Sequence, residues 1–382
     1  MGESHSMTLV KRTMEDVQRY LDAEVKGELP TVPTLPDGRG IGLAHRLNHV
    51  LRHMNLHVSR ATIHDEAMRE AHRGYNPIDK SIALGTILQL QADPSTFDAV
   101  YNTLSDEDSR RTFDWFISYR TALALLGSDA DNVVPGRTSI AEWQKALDRT
   151  GRTFVGGAYR IDGMTVDSGL AEVAAPFFLE QYRLKDAVEP RTGDVVLDCG
   201  AYRGETALWF ARQVGKEGRV VAFEPAGHNS DGLRRNLAAN RSVDMAPVTA
   251  LECAVSSSTG VLHFNVRAGG GSRVDTAAAD LVSSVTIDDV VEQQHLSRVD
   301  FIKMDIEGGE VDALRGAEKT LKRFTPRLAI SVYHRPHDLP DIFALVRQAC
   351  PDYRLYLSHK SPGLSETVLF ACASTANGSQ SK

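Results

Sequence analysis

The segment Val195-Val-Leu-Asp-Cys-Gly-Ala-Tyr-Arg-Gly-Glu-Thr-Ala-Leu-Trp-Phe-Ala211 constrains this chain more than any other stretch. An apolar run closes on Asp198, a turn with Gly200 and Gly204 follows, and a helical pattern starts directly after it. Such a strand, turn and helix bring a ligand close to backbone and offer it the unpaired N–H groups of the first helical turn. Twenty residues past Gly204 a second apolar run, Val220-Val-Ala-Phe-Glu224, also ends in a carboxylate. An acid there can hold both hydroxyls of a ribose. The glycines are spaced GxxxG, without the GxGxxG that sets backbone against a pyrophosphate. Asp198, just before the turn, suits a positive amino group better than phosphates. Spacing and acids together point to an adenosine ligand that carries an amino acid, rather than to a dinucleotide.

The surrounding pattern gives that motif a fold. From Gly193 onward, short apolar runs alternate with helical segments: Val195–Cys199, Val220–Glu224, Val248–Val255, Val299–Asp305, Leu328–Tyr333, Tyr353–Leu357 and Thr367–Ala371. Several are continuously apolar, as strands covered on both faces are. The alternation predicts an α/β, mostly parallel, doubly wound sheet. Residues 1–150 read as mainly helical, with candidate helices Thr8–Lys26, Gly42–His57, Thr62–His72, Ser81–Gln91, Glu107–Leu126 and Ile140–Asp148. Ser139-Ile-Ala-Glu142 has the spacing of a capping box. Asp129–Gly136 reads as a loop, 151–192 as a linker or lid with a hairpin at Gly156-Gly157, 193–373 as the α/β domain, and 374–382 as a disordered tail.

Composition removes several function classes. The 382 residues are 42% hydrophobic, enough for a real core, and the length fits two domains or one with an extension. A net charge of −7 gives no global reason to expect nucleic-acid binding. No apolar run approaches the roughly 20 residues that span a bilayer, and the first seven residues lack a secretory pattern. Cys199, Cys253, Cys350 and Cys372 are scattered, which argues against a disulfide scaffold or zinc ribbon. The expectation is a soluble, cytoplasmic protein of a reducing compartment.

From about Gly193 to Ala373 the chain resembles a class I S-adenosylmethionine-dependent methyltransferase, and more narrowly the FkbM family. The resemblance rests on Asp198-Cys-Gly-Ala-Tyr-Arg-Gly, Phe223-Glu-Pro225, Thr286-Ile-Asp-Asp-Val290, Lys303-Met-Asp-Ile-Glu-Gly-Gly-Glu310, Tyr333-His334 and Leu357-Ser-His-Lys-Ser361 before Glu366-Thr-Val-Leu. It covers about half the chain. It implies a seven-stranded Rossmann-like sheet. It also implies that Asp198, Gly200, Ala201 and Tyr202 hold the methionine portion of S-adenosylmethionine, and that Glu205 and Thr206 also contact this cofactor. Glu224 would take the ribose, Pro225 would lie beside the adenine, and Cys253 and Ala254 would flank it. Cys199 stands where many relatives carry Val, Ile or Leu, and Tyr202-Arg203 replaces smaller residues, which could narrow the pocket.

Methyl transfer to a hydroxyl requires in-line alignment and loss of a proton. Asp305 and His334 close two of the apolar runs, and carboxyl ends of strands line the ligand crevice of such a sheet. His334 is the expected general base, with Asp305 as its orienter or as a contact to cofactor and acceptor. Glu307 and His359 are weaker substrate candidates. Should a divalent ion such as Mg take part, Asp305, Glu307 and His334 would be its ligands.

In the helical part His45, His49, His53 and His57 recur every fourth residue, and a polar face is favoured over a metal site there. Phe113, Trp115, Phe116 and Tyr119 read as core or acceptor-pocket wall. A helical extension of this kind is expected to cap the substrate cleft or join copies into a homo-oligomer, by analogy alone. The leading reading is O-methylation of a small-molecule hydroxyl, on a sugar or natural-product scaffold. The alternatives are N-methylation, a nicotinamide-dependent oxidoreductase, and a silent cofactor-binding partner protein.

Overall fold

The computed structural model describes residues 4–26, 77–266 and 272–373. Its centre is a seven-stranded sheet: β1 (Val195–Cys199), β2 (Arg219–Phe223), β3 (Val248–Leu251), β4 (Phe301–Met304), β5 (Arg327–Ser331), β6 (Tyr353–His359) and β7 (Thr367–Ala373). The strand order is β3-β2-β1-β4-β5-β7-β6. All neighbours are parallel except β7, which runs antiparallel to both β5 and β6.

Successive side chains alternate between two apolar faces, which is why these runs carry few polar positions. Leu197, Val221, Ile302 and Leu328 belong to one core, shared with helices Ile287–Gln293, Glu310–Arg315 and Asp338–Ala349. Val196, Val220, Phe301 and Ala329 belong to the other, shared with helices Glu205–Val214 and Gly227–Ala239. Helices therefore cover both faces. The chain leaves β1 toward β2 on one side and returns to β4 on the other, and a crevice opens at such a reversal.

The run Val248–Val255 is not one strand. It breaks at Glu252-Cys253, and Ala254–Val255 joins a second sheet with Asp280–Val285, Gly260–Asn265 and Arg273–Val274. That sheet escaped the sequence reading because its strands mix polar residues with exposed Val261 and Leu281.

The described helices of the first part are His5–Lys26, Pro77–Ala92, Pro94–Thr103, Glu107–Leu126 and Ile140–Arg152. Both arms of the capping box between Ser139 and Glu142 are present. Pro94–Thr103 was not expected; Asp93 caps it, accepting from Ser95 N at 3.2 Å, and a proline opens its first turn. Candidate helices Gly42–His57, with its four histidines, and Thr62–His72 lie outside the described residues, as does the tail 374–382. The expected hairpin forms, with Phe154–Val155 paired to Ala158–Ile161.

The helical part also covers the outer edge of the sheet. Ser105 N donates to Leu355 O at 2.8 Å, while Leu355 N and Leu357 N donate to Oγ of Ser105 and Ser109, each at 3.0 Å. These bonds satisfy amides of β6 that an open edge would leave to solvent. Phe113 and Phe116 enter the core shared with the sheet, so the aromatic residues of helix Glu107–Leu126 serve as core; none of the four lines the cavity described next.

Candidate active site

A cavity of about 270 Å³ opens at the carboxyl ends of β1, β2 and β4. Its floor is the turn after β1. Gly200 has φ 84°, and a Cβ there would lie 1.9 Å from the carbonyl oxygen of Asp305, so only glycine fits. The N–H groups of Gly200 and Ala201 donate to Phe223 O at 3.0 and 2.9 Å, tying the turn to β2.

Strand register explains what lies beneath it. Asp198 and Lys303 are partners across β1 and β4, so their side chains stand side by side on one face. Lys303 Nζ is 3.2 Å from Asp198 Oδ1 and donates to Gly200 O at 2.6 Å. Thr206 Oγ1 donates to Asp198 Oδ2 at 2.7 Å. Both charged residues are about 1% exposed or less. This corrects the expected role of Asp198. The ammonium beside it belongs to the chain itself, and Asp198 does not line the cavity; neither does Ala201.

Gly200, Tyr202, Glu205, Thr206, Glu224, Pro225, Cys253 and Ala254 all line it. Glu224 accepts from Tyr202 N at 3.0 Å, Ala226 N at 2.9 Å and Asn229 Nδ2 at 3.4 Å. Burial pushes its carboxyl up to about 7 against those three donors. Burial likewise pushes Glu205, at the start of helix Glu205–Val214, up to about 8.

The opposite end is crowded with acids. Asp305 accepts from Tyr182 Oη at 2.6 Å and Tyr333 Oη at 3.2 Å. Its Oδ1 is 3.2 Å from His334 Nε2, while His334 Nδ1 is 3.0 Å from Glu310 Oε1. Burial would lower the pKa of His334, but Glu310 and Asp305, one at each nitrogen, hold it well above the ordinary value. In turn, although burial opposes it, the His334 and Lys303 charges and the Tyr182 hydroxyl hold Asp305 well below the carboxylate range. His334 thus sits between carboxylates that favour its charged form, and it does not line the cavity. That counts against His334 as general base: it stands behind the cavity wall, with Asp305 Oδ1 3.2 Å from one ring nitrogen and Glu310 Oε1 3.0 Å from the other.

Glu307 lines the cavity in a left-handed conformation, φ 56°, with Gly308 at φ 92° behind it. Burial pushes its carboxyl up to about 7. Glu366, pushed up to about 8 by burial and by Asp305, also lines the cavity and accepts a hydrogen bond from Gln181.

The metal grouping differs from the one expected. Asp305, Glu310 and His334 come close together, with Glu310 in place of Glu307. The two carboxylates sit at opposite ring nitrogens of His334, an arrangement suited to a charged imidazole rather than to one shared ion. His359 is also misplaced by the sequence reading. It is 4% exposed, packs 4.1 Å from the Trp115 ring, pairs with Thr367 Oγ1 at 2.9 Å and stays outside the cavity. Burial lowers its pKa to about 3.

Sequence reasoning assigned no role to Lys303, Tyr182, Gln181, Tyr333, Glu366 or Trp143. Glu366 had a signal, an acid placed directly before the apolar run of β7. Tyr182 and Trp143 had none, because they reach the cavity from the linker and from helix Ile140–Arg152.

A strand order of 3-2-1-4-5-7-6 and a cavity at its reversal, with acids at the ends of β2 and β4, define an α/β protein with a ligand crevice at the point where the strand order turns back. Residues 198–355 match the Methyltransferase FkbM domain. That segment is an FkbM methyltransferase domain. Methyltransferase sdnD of Sordaria araneosa is 27% identical over 186 residues, covering 40% of this chain and 71% of that protein. Hexuronic acid methyltransferase AglP of Haloferax volcanii is 28% identical over 166 residues, covering 42% of this chain and 64% of that protein. The crystal structure of methyltransferase FkbM from Methylobacillus flagellatus KT is 22% identical with a TM-score of 0.49, covering 74% of this chain and 60% of that one. The chain thus spans less than two thirds of the latter two. Among the described residues no helix is long and apolar enough to cross a membrane.

Proposed function

We propose that this protein is an S-adenosylmethionine-dependent O-methyltransferase acting on a hydroxyl of a sugar or natural-product scaffold. The observation that carries the reading is the pairing of Glu224, fixed at the end of β2, with Glu307 and Asp305 across one cavity beyond the Gly200 turn. The cradle fits the cofactor. Gly200 leaves room for close approach, Glu224 presents a carboxylate where a ribose is held, and Glu205 lies where an amino group would be. When bound, S-adenosylmethionine supplies a methyl group on a sulfonium leaving group.

The chain's own part is alignment and proton handling. Glu224 would hold the ribose hydroxyls, and Cys253 and Pro225 would border the adenine. Glu307 would take the proton from the acceptor hydroxyl as that oxygen accepts the methyl group. A carboxyl near 7 is well matched to that task at neutral pH. His334 positions Asp305 rather than accepting the proton. The reaction so written needs no metal.

Calorimetric titration with S-adenosylmethionine, S-adenosylhomocysteine and NAD tests the cofactor assignment. Saturable binding of the first two and none of NAD is expected, and Glu224→Ala should weaken it about tenfold by removing a hydrogen-bonded acid. Binding of NAD alone sinks the reading. Acceptor screens with and without a chelator, with the product methyl located by NMR, separate O- from N-methylation and reveal any metal requirement.

A further inference from the structure

Among the described residues, six acidic side chains line the cavity, those of Glu172, Glu205, Glu224, Asp305, Glu307 and Glu366, against one cation, Lys303. Lys303 is already engaged, with Asp198 Oδ1 at 3.2 Å and Gly200 O at 2.6 Å. At the end proposed for the cofactor the acids have partners: Glu224 would face the ribose, while Glu205 and Glu172 would lie near the amino group. Bound S-adenosylmethionine carries a net charge of about +1, from a sulfonium, an ammonium and a carboxylate. That leaves the acids of the other end without an equal counter-charge.

Asp305 is answered by His334, Tyr182 and Tyr333. Glu307 and Glu366 are not. His334 Nε2 is 3.9 Å from Glu307 Oε2, but that ring already bridges Asp305 and Glu310. The Arg273 charge reaches Glu307 from the small sheet without lining the cavity. Glu366 has Gln181, a neutral partner. Aromatic residues stand among these acids, with Tyr182, Tyr333 and Phe264 all on the cavity wall. Carboxylates interleaved with aromatic rings are the chemistry that recognises an ammonium group.

We infer that the acceptor carries a protonated amine beside the hydroxyl that is methylated, and that Glu307 and Glu366 select it over acceptors bearing a carboxylate or phosphate. The inference rests on the methyltransferase reading above and narrows its substrate to amino sugars and amino alcohols. A hexuronic acid, the acceptor class in the name of the relative AglP, would bring a further negative charge among acids that already repel one another. An ammonium does the opposite, favouring the ionised form of both glutamates.

The test uses the whole protein loaded with S-adenosylhomocysteine. Binding of three matched probes, methyl glucoside, methyl glucosaminide and methyl glucuronide, is followed by ligand-observed NMR. The glucosaminide should bind at least tenfold tighter than the glucoside, and the glucuronide weakest of all. Glu307→Gln and Glu366→Gln should each shrink the glucosaminide preference at least threefold while S-adenosylhomocysteine affinity is retained. Equal binding of the three, binding of none, tighter binding of the glucuronide, or a preference intact in both variants overturns the inference and leaves the methyltransferase reading standing. Failure of S-adenosylhomocysteine to load removes both together.

Discussion

Glu224, buried, and Glu307, half-buried, line one cavity, yet their surroundings differ in kind. Glu224 accepts from two backbone N–H groups and one side-chain amide, all belonging to the chain. Glu307 looks out on Asp305 and Glu310, with an imidazolium 3.9 Å away that is shared among them. The end proposed to hold the cofactor is thus organised by the chain's own backbone. The reacting end holds like charges together and gains from whatever cation arrives. A shared cofactor needs one rigid cradle, whereas an acceptor and a moving proton need groups whose charge can change.

The rigidity of the first end depends on the Lys303–Asp198 pair, so breaking that pair should have the largest effect. Lys303→Met leaves Asp198 buried, at 0% exposure, without its cation. Removing one partner of a buried ion pair costs about 3–5 kcal/mol, and the turn loses its hydrogen bond at Gly200 O. Urea unfolding should show that loss, and the double variant with Asp198→Asn should recover part of it. Full stability in Lys303→Met would mean that the cradle stands without the pair.

At the other end, Glu307→Gln should lower turnover about 10²–10⁴-fold, the usual contribution of a positioned base. The sign of the pH dependence follows from its raised pKa. A base works only when ionised, so the rate should rise as pH climbs through about 7 and then level off. The variant should lose that rise while binding S-adenosylhomocysteine normally. A wild-type rise that persists in Glu307→Gln would return the proton to another acid, Glu366 first. Gly200→Ala probes the cradle again, on a smaller scale of stability. The left-handed backbone alone costs a non-glycine residue about 1–3 kcal/mol. The added Cβ meets the Asp305 carbonyl, so S-adenosylhomocysteine affinity should fall tenfold or more.

The same contrast governs what the sequence disclosed. The cradle was legible because it is local: strand, glycine turn and helix follow one another, and Glu224 ends the next strand. Asp198 was read with the right position and the wrong partner, since Lys303 lies 105 residues away and meets it only through parallel register. His334 was placed near Asp305, but its charge state depends on Glu310, whose burial no periodicity reveals. Trp143 and Tyr182 come from segments read as helical extension and linker. The small sheet was missed because its strands expose apolar residues and bury few.

Glu205 separates the two ends most finely, and its effect should be the smallest. It sits at the cradle, yet burial pushes its carboxyl up to about 8, as at the reacting end. An acid whose folded pKa exceeds its unfolded value binds an extra proton in the native state, so stability falls as pH rises between the two. The wild type should therefore lose stability between about pH 5 and 8, with Glu224, Glu307 and Glu366 contributing to the same decline. Glu205→Gln should flatten only its share, read as a smaller shift in urea midpoint between pH 5.5 and 8.5. Saturating S-adenosylhomocysteine should flatten the wild-type decline too, because an ammonium beside Glu205 favours its ionised form. If the ligand flattens the decline equally in wild type and Glu205→Gln, the ammonium is held elsewhere, and the boundary between the two ends must be redrawn toward Glu172.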